Sequence, residues 1–188
     1  MRYNAIDKAL FELNRKRFAE QMSSGGIALF HSNDFMPRNG DAYHNWKQNS
    51  DLFYLSGVDQ EETILVLFPE CPVPAYRETL FIRKTNPTIA VWEGRKLNKE
   101  EATKATGVTN VQWYEDFDKV MHQFILMAET IYINLNENDR FNNVAPYNGL
   151  RFANQLKTKY PGHQIARSAP ILGRLRAVKS KYEIDMMR

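Results

Sequence analysis

Three short apolar runs, Ile27-Ala28-Leu29-Phe30, Thr63-Ile64-Leu65-Val66-Leu67-Phe68 and Leu80-Phe81-Ile82, constrain this chain more than any other feature. They are rich in β-branched and aromatic residues, too short for independent helices, and bounded by Gly, Pro or polar turn residues, which reads as buried strands. Residues 130–135 return to strand, and Val111-Gln112-Trp113-Tyr114 looks extended. Helical stretches alternate with them. Over residues 5–22, Ile6, Leu10, Leu13, Phe18 and Met22 recur at roughly helical spacing among charges, and Ser23-Ser24-Gly25-Gly26 ends the pattern. Asn98 with Glu101 three positions on is a capping-box pattern that starts a short helix, closed by Gly107. Asp116 is placed to cap a helix carrying Phe117, Val120, Met121, Phe124 and Ile125, and Pro146 to open one running to Lys159, stopped by Pro161-Gly162. Strands alternating with helices specify an α/β layered sheet, with no repeat and no linker dividing it.

The chain of 188 residues, 43% hydrophobic and 25% charged, is in the range of one globular domain with a sizeable core. Its 25 Lys and Arg against 22 Asp and Glu leave a net charge of +3, too balanced to argue for nucleic acid or an anionic membrane. No leader-like apolar segment opens the sequence, and no apolar run approaches the roughly 20 residues that span a bilayer, so a soluble cytoplasmic protein is expected. Cys71 is the only cysteine, which excludes an internal disulfide and suits a reducing compartment. Its setting, Pro69-Glu70-Cys71-Pro72-Val73-Pro74, reads as a stiff surface connection. At the other end, Ser180-Lys181-Tyr182-Glu183 is a second capping-box pattern, after which no stop signal follows; the expectation is a fragment cut where a further domain would begin.

The residues that might carry chemistry are sparse. His31, His44, His122 and His163 are scattered, and the nearest thing to a metal cluster is His31, Asp34, Asp41 and His44. Neither a phosphate-cradling glycine loop nor a nucleophile elbow is present. Glu115, Asp116 and Asp118 are read as complements to the positive end of their helix. Arg167, Arg174, Arg176, Lys179 and Lys181 lie among Ile171, Leu172, Leu175 and Val178, a pattern of solvated surface or interdomain seam in preference to a phosphate grip. Residues 38–57 mix Asn, Gln, Asp and Lys with Tyr, Trp and Phe, a costly combination to bury, so they suit a cleft wall or interface; the plainer alternative is a loop leading into a strand at Leu52-Phe53-Tyr54-Leu55. Trp92, between a β-rich run and a Glu-Gly-Arg turn, either projects a flat side chain with a cation beside it or packs in the core next to Val91.

Tyr43 to Gly57, with Gln48-Asn49-Ser50-Asp51 at its centre, and Val91-Trp92-Glu93-Gly94-Arg95-Lys96-Leu97 together resemble the N-terminal domain of bacterial Xaa-Pro aminopeptidases, the aminopeptidase P family. Lys179-Ser180-Lys181-Tyr182-Glu183-Ile184 resembles the connector into the catalytic domain of that family and of the related prolidases and creatinases. The likeness covers essentially the whole chain and departs from the common pattern at Lys47, where Arg is usual, and at Gln60-Glu61, where Glu-Pro is usual. It implies a creatinase-type fold, a mixed β-sheet flanked by helices on both faces, over residues 1–178, with 179–188 starting a connector helix to a metallopeptidase domain of pita-bread fold. In the family that second domain holds two divalent ions, commonly manganese, and removes an N-terminal residue preceding proline. The resemblance implies that this chain has no cofactor of its own and is inactive alone. Its implied partners are its own catalytic domain, further copies in a dimer or tetramer, and proline-containing peptides, with neither nucleic acid nor membrane among them. By the same likeness Asp41, Trp92 and Arg95 would shape the substrate site or a subunit interface, Trp92 by packing on substrate and excluding water, Asp41 by meeting a cationic group. A non-catalytic peptide- or histone-binding module of the same fold is the alternative.

Overall fold

The computed structural model describes residues 6–138, 140 and 145–187, with the side chains of 87, 92 and 93 outside that set. In chain order the strands are β1 (Gly26–His31), β2 (Pro37–Asn39), β3 (Ala42–Tyr43), β4 (Ile64–Leu67), β5 (Glu78–Ile82), β6 (Asn110–Trp113), β7 (Thr130–Ile133) and β8 (Gln164–Arg167). The helices are α1 (Lys8–Ala19), α2 (Ser50–Ser56), α3 (Pro87–Glu93), α4 (Lys99–Thr106), α5 (Phe117–Met127), α6 (Asn148–Lys159), α7 (Ala169–Ala177) and α8 (Lys181–Met187).

Six strands form one sheet in the order β6-β5-β4-β1-β7-β8, while β2 and β3 make a separate hairpin. β4 pairs antiparallel with both β1 and β5, and the remaining pairs are parallel, so β4 alone runs against the other five. Every residue of β1 and β4 is buried, as the unbroken apolar runs require. Alternate side chains serve opposite faces. Ile27, Leu29, Ile64 and Val66 join Met121, Phe124, Phe152 and Leu156 of α5 and α6 on one side. Ala28, Phe30, Leu65 and Leu67 join Phe18, Leu52, Ala102 and Leu172 of α1, α2, α4 and α7 on the other. The mixed sheet with helices on both faces is therefore what forms. Burial of each large side chain contributes roughly 1.5–3 kcal/mol, and two such layers explain why the sheet needs no further staple.

Several local expectations are corrected. Leu52-Phe53-Tyr54-Leu55 is not strand but α2: the Asn49 side chain accepts from the N–H groups of Asp51 and Leu52, Leu52 and Leu55 fall on one buried face, and Gly57 at φ 70° closes the helix. The run around Trp92 is not β but α3, with Asn86 accepting from Ile89 N–H at 2.8 Å and Pro87 in the first turn. Asp116 makes no side-chain cap for α5; residues 114–116 form a 3₁₀ turn, and Asp116 itself has helical dihedrals. Cys71 is fully buried, because a turn from Phe68 O to Cys71 N–H folds it under the sheet. The capping box of α4 forms with both reciprocal bonds, and Ser180 and Glu183 likewise bond at the start of α8. Among the described residues no helix is long and apolar enough to cross a membrane.

Candidate functional site

β1, β7 and β8 run parallel and end at the same edge of the sheet, the edge at which open α/β sheets take ligands. There the chain encloses a cleft of about 1000 Å³ between residues 31–34, 44–51, 134–138, the first turns of α6 and α7, and Arg176. One wall is the amide-rich stretch singled out in the sequence. Its polar groups are satisfied locally: Asn33 Nδ2 donates to Lys47 O at 3.0 Å, Trp46 Nε1 to Asn33 O at 3.0 Å, and Gln48 Nε2 to both Val58 O and Gln60 O at 3.0 and 2.8 Å. This lattice of short bonds makes the wall a rigid surface.

The charges at the cleft are paired within the chain. Asp34 accepts two bonds from Arg151, at 2.7 and 3.2 Å, and one from the first N–H of α6, at 2.8 Å. Arg176 donates to Asp51 at 2.8 Å, and burial pushes the Asp51 carboxyl up while Arg176 opposes that shift. Arg167 bonds Glu137, and the Arg167 guanidinium is held above its ordinary range by that carboxylate. His31, the last residue of β1, lies 4.2 Å from the Phe152 ring centre to centre, and neither ring nitrogen has a hydrogen-bond partner among the described residues. Burial lowers its pKa to about 4, against a smaller opposing pull from Asp34.

The residues expected to shape a site fall outside this cleft lining or outside the described set. Asp41 stands exposed just after the tip of the β2–β3 hairpin, following Gly40 at φ 57°. Arg95 is largely exposed and pairs with Glu101 in the first turn of α4. The backbone of Trp92 belongs to the last turn of α3; its side chain lies outside the described residues. His31, Asp34, Asp41 and His44 do not converge: Asp34 is committed to Arg151 and α6, Asp41 is exposed on the hairpin, and among the described residues no three His, Cys, Asp or Glu side chains are placed to hold a metal ion. The basic stretch is a seam, with Arg174 donating to Gln21, Arg176 to Asp51 and Lys179 to Arg176 O. Sequence reasoning missed Glu61, a buried carboxylate 2.6 Å from Lys96 and 3.2 Å from Arg83; the one signal pointing to it was the unusual Gln60-Glu61 pair.

A mostly parallel sheet covered on both faces, with a rigid polar wall over the carboxyl ends of its strands, defines an α/β domain of the creatinase N-terminal type. The chain belongs to the family described as "Aminopeptidase P, N-terminal domain", whose profile matches residues 11–132. It is 27% identical over 127 residues to the Xaa-Pro aminopeptidase of Escherichia coli, covering 68% of this chain and 29% of that protein. To the Xaa-Pro aminopeptidase of Haemophilus influenzae it is 24% identical, over 97% of this chain and 40% of the relative. The solved structure of a putative aminopeptidase P from Bacillus anthracis superposes with a TM-score of 0.83 at 26% identity, covering 95% of this chain and 42% of that one. Aminopeptidase PepP of Pseudomonas aeruginosa shares the fold, with a TM-score of 0.79 at 23% identity over 96% and 40% of the two chains. The chain thus spans well under half the length of these relatives.

Proposed function

We propose that this chain is the accessory and assembly domain of a cytoplasmic Xaa-Pro aminopeptidase, shaping the site at which another domain removes an N-terminal residue preceding proline. The observation that carries the reading is the family match together with the relatives named Xaa-Pro aminopeptidase, of which this chain matches only part. Residues 1–178 would form the domain and 179–188 open the connector to the catalytic partner. That partner would hold the two divalent ions, commonly manganese, which activate water and stabilise the tetrahedral intermediate. The residues of this chain do not fit such a pair: Asp34, Asp51 and Glu61 are each neutralised by Arg or Lys. No hydrolytic step is assigned to them.

What this chain contributes is surface. Asp41, exposed on a short hairpin, is placed to meet a cationic group, either the free amine of a peptide or an Arg on another copy in a dimer or tetramer. Trp92 at the end of α3 would cover a bound peptide and exclude water, with Arg95 held beside it by Glu101. In the protein that joins this domain to its catalytic partner, Trp92→Ala is expected to raise KM for Xaa-Pro peptides of three or more residues by roughly 5- to 30-fold, the effect of truncating an aromatic anchor, with a smaller change in kcat. Steady-state kinetics on a peptide length series checks this, and an unchanged KM would show that Trp92 serves packing alone.

A further inference from the structure

Residues 84–95 leave the sheet after β5 and return before α4, carrying α3 at their apex. A seven-residue helix is too short to persist by itself, and no other helix or strand packs broadly on α3. Val91 on it is 77% exposed. Gly94, which ends α3 at φ 79°, has open space where a Cβ would stand, so nothing beside it fixes the direction of the helix. What is fixed is the base of the excursion. Arg83, the residue before it, and Lys96, the residue after it, approach the same oxygen, Glu61 Oε1, at 3.2 and 2.6 Å. Leu97 N–H donates to Gln60 Oε1 at 3.0 Å, and Gln60 O in turn accepts from Gln48 Nε2 at 2.8 Å, joining this point to the cleft wall. Glu61 is 4% exposed, and the adjacent Glu62 holds a positive φ of 46° while pairing with Arg83 at 3.4 Å. A non-glycine residue is kept in that conformation only where its surroundings over-determine it.

We propose that Glu61 is a positioning residue, a clasp that closes both ends of the 84–95 excursion and thereby sets how α3 presents Trp92. The two cations are brought together by one carboxylate; without it Arg83 and Lys96 repel each other at the neck of the excursion, and α3 swings about Gly94. The consequence for peptides rests on the function proposed above, whereas the clasp itself does not.

Hydrogen exchange on the purified chain tests the clasp. In Glu61→Gln, amides 89–97, with Leu97 N–H as the main reporter, are expected to exchange at least about 10-fold faster while those of β1 and β7 keep their rates. Should Glu61→Gln not fold, Lys96→Met removes one arm while Arg83 still neutralises Glu61, and the same amides are read. Unchanged exchange over 89–97, or acceleration shared equally by the whole sheet, would overturn the proposal. In the protein joined to its catalytic domain, Lys96→Met is expected to raise KM for Xaa-Pro peptides about 5-fold with kcat kept. Faster exchange with an unchanged KM would leave the clasp standing and refute the role given to Trp92.

Discussion

Lowering the pH from about 7 to about 5 should cost this domain about 2 kcal/mol of stability through His31 alone, a loss that the His31→Leu variant escapes. His31 sits among Phe117 and Phe152 with neither ring nitrogen bonded among the described residues, and burial lowers its pKa from an ordinary 6.5 to about 4. The unfolded chain therefore takes up a proton at this ring as the pH falls through 6.5, and the folded chain does not until near 4. Between those two values the unfolded state binds more protons, so stability is whole above the window and falls as the pH drops through it, by about 1.4 kcal/mol per pH unit. Leu fills a similar apolar space and carries no proton, so at neutral pH it should be neutral or stabilising, because an unpaired buried polar group is removed. Other groups shift with pH as well: Glu70 and Glu101 are held below the ordinary carboxylate range by backbone N–H bonds, and Asp51 is pushed up by burial. Comparing urea unfolding of parent and variant at both pH values cancels those contributions. Equal pH dependence in the two proteins would show that the His31 ring finds a partner in solution.

Gly57→Ala is expected to destabilise the domain by about 2–4 kcal/mol, the sum of left-handed backbone strain and overpacking. Gly57 ends α2 at φ 70°, its N–H bonded to Phe53 O at 2.8 Å, and a Cβ placed on it would stand 2.3 Å from two carbons of the Phe11 ring. Phe11 is 3% exposed on α1 and meets Phe53 edge to face, so the ring has no room to retreat. Gly40→Ala makes the control. Gly40 has a similar φ of 57° but nothing within 4 Å of the added carbon, so only the conformational cost, about 1 kcal/mol, should remain. Thermal unfolding of the two variants separates contact from strain; equal losses would mean that α1 and α2 can part without cost. Because α2 begins in the cleft wall at Asn49, the same substitution should also loosen that wall.

The central strands were legible because β1 and β4 are covered on both faces and so are apolar at every position. α4 was legible because its two ends carry their own signals, Asn98 with Glu101 and then Gly107. α2 and α3 were misread for one shared reason: their apolar residues invited a strand assignment, while the caps that decide the matter, Asn49 with Gly57 and Asn86-Pro87 with Gly94, lie at the edges of those runs. β8 escaped notice because it is a half-exposed edge strand without an apolar run, and the β2–β3 hairpin because Asn39-Gly40, a turn signal, lay inside a stretch taken for loop. At the site, the polar wall of residues 44–51 could be anticipated from composition. The pairings of Asp34 with Arg151 and of Glu61 with Lys96 could not, since they join segments that only the sheet topology brings together.

The claim on which the whole reading turns is that this domain shapes a peptide site and does not itself cut peptides. The direct measurement is incubation of the purified 188-residue chain with an Xaa-Pro peptide and manganese, following release of the N-terminal residue. The account predicts no release above the background without protein. Release that scales with protein concentration and stops on adding a chelator would contradict it.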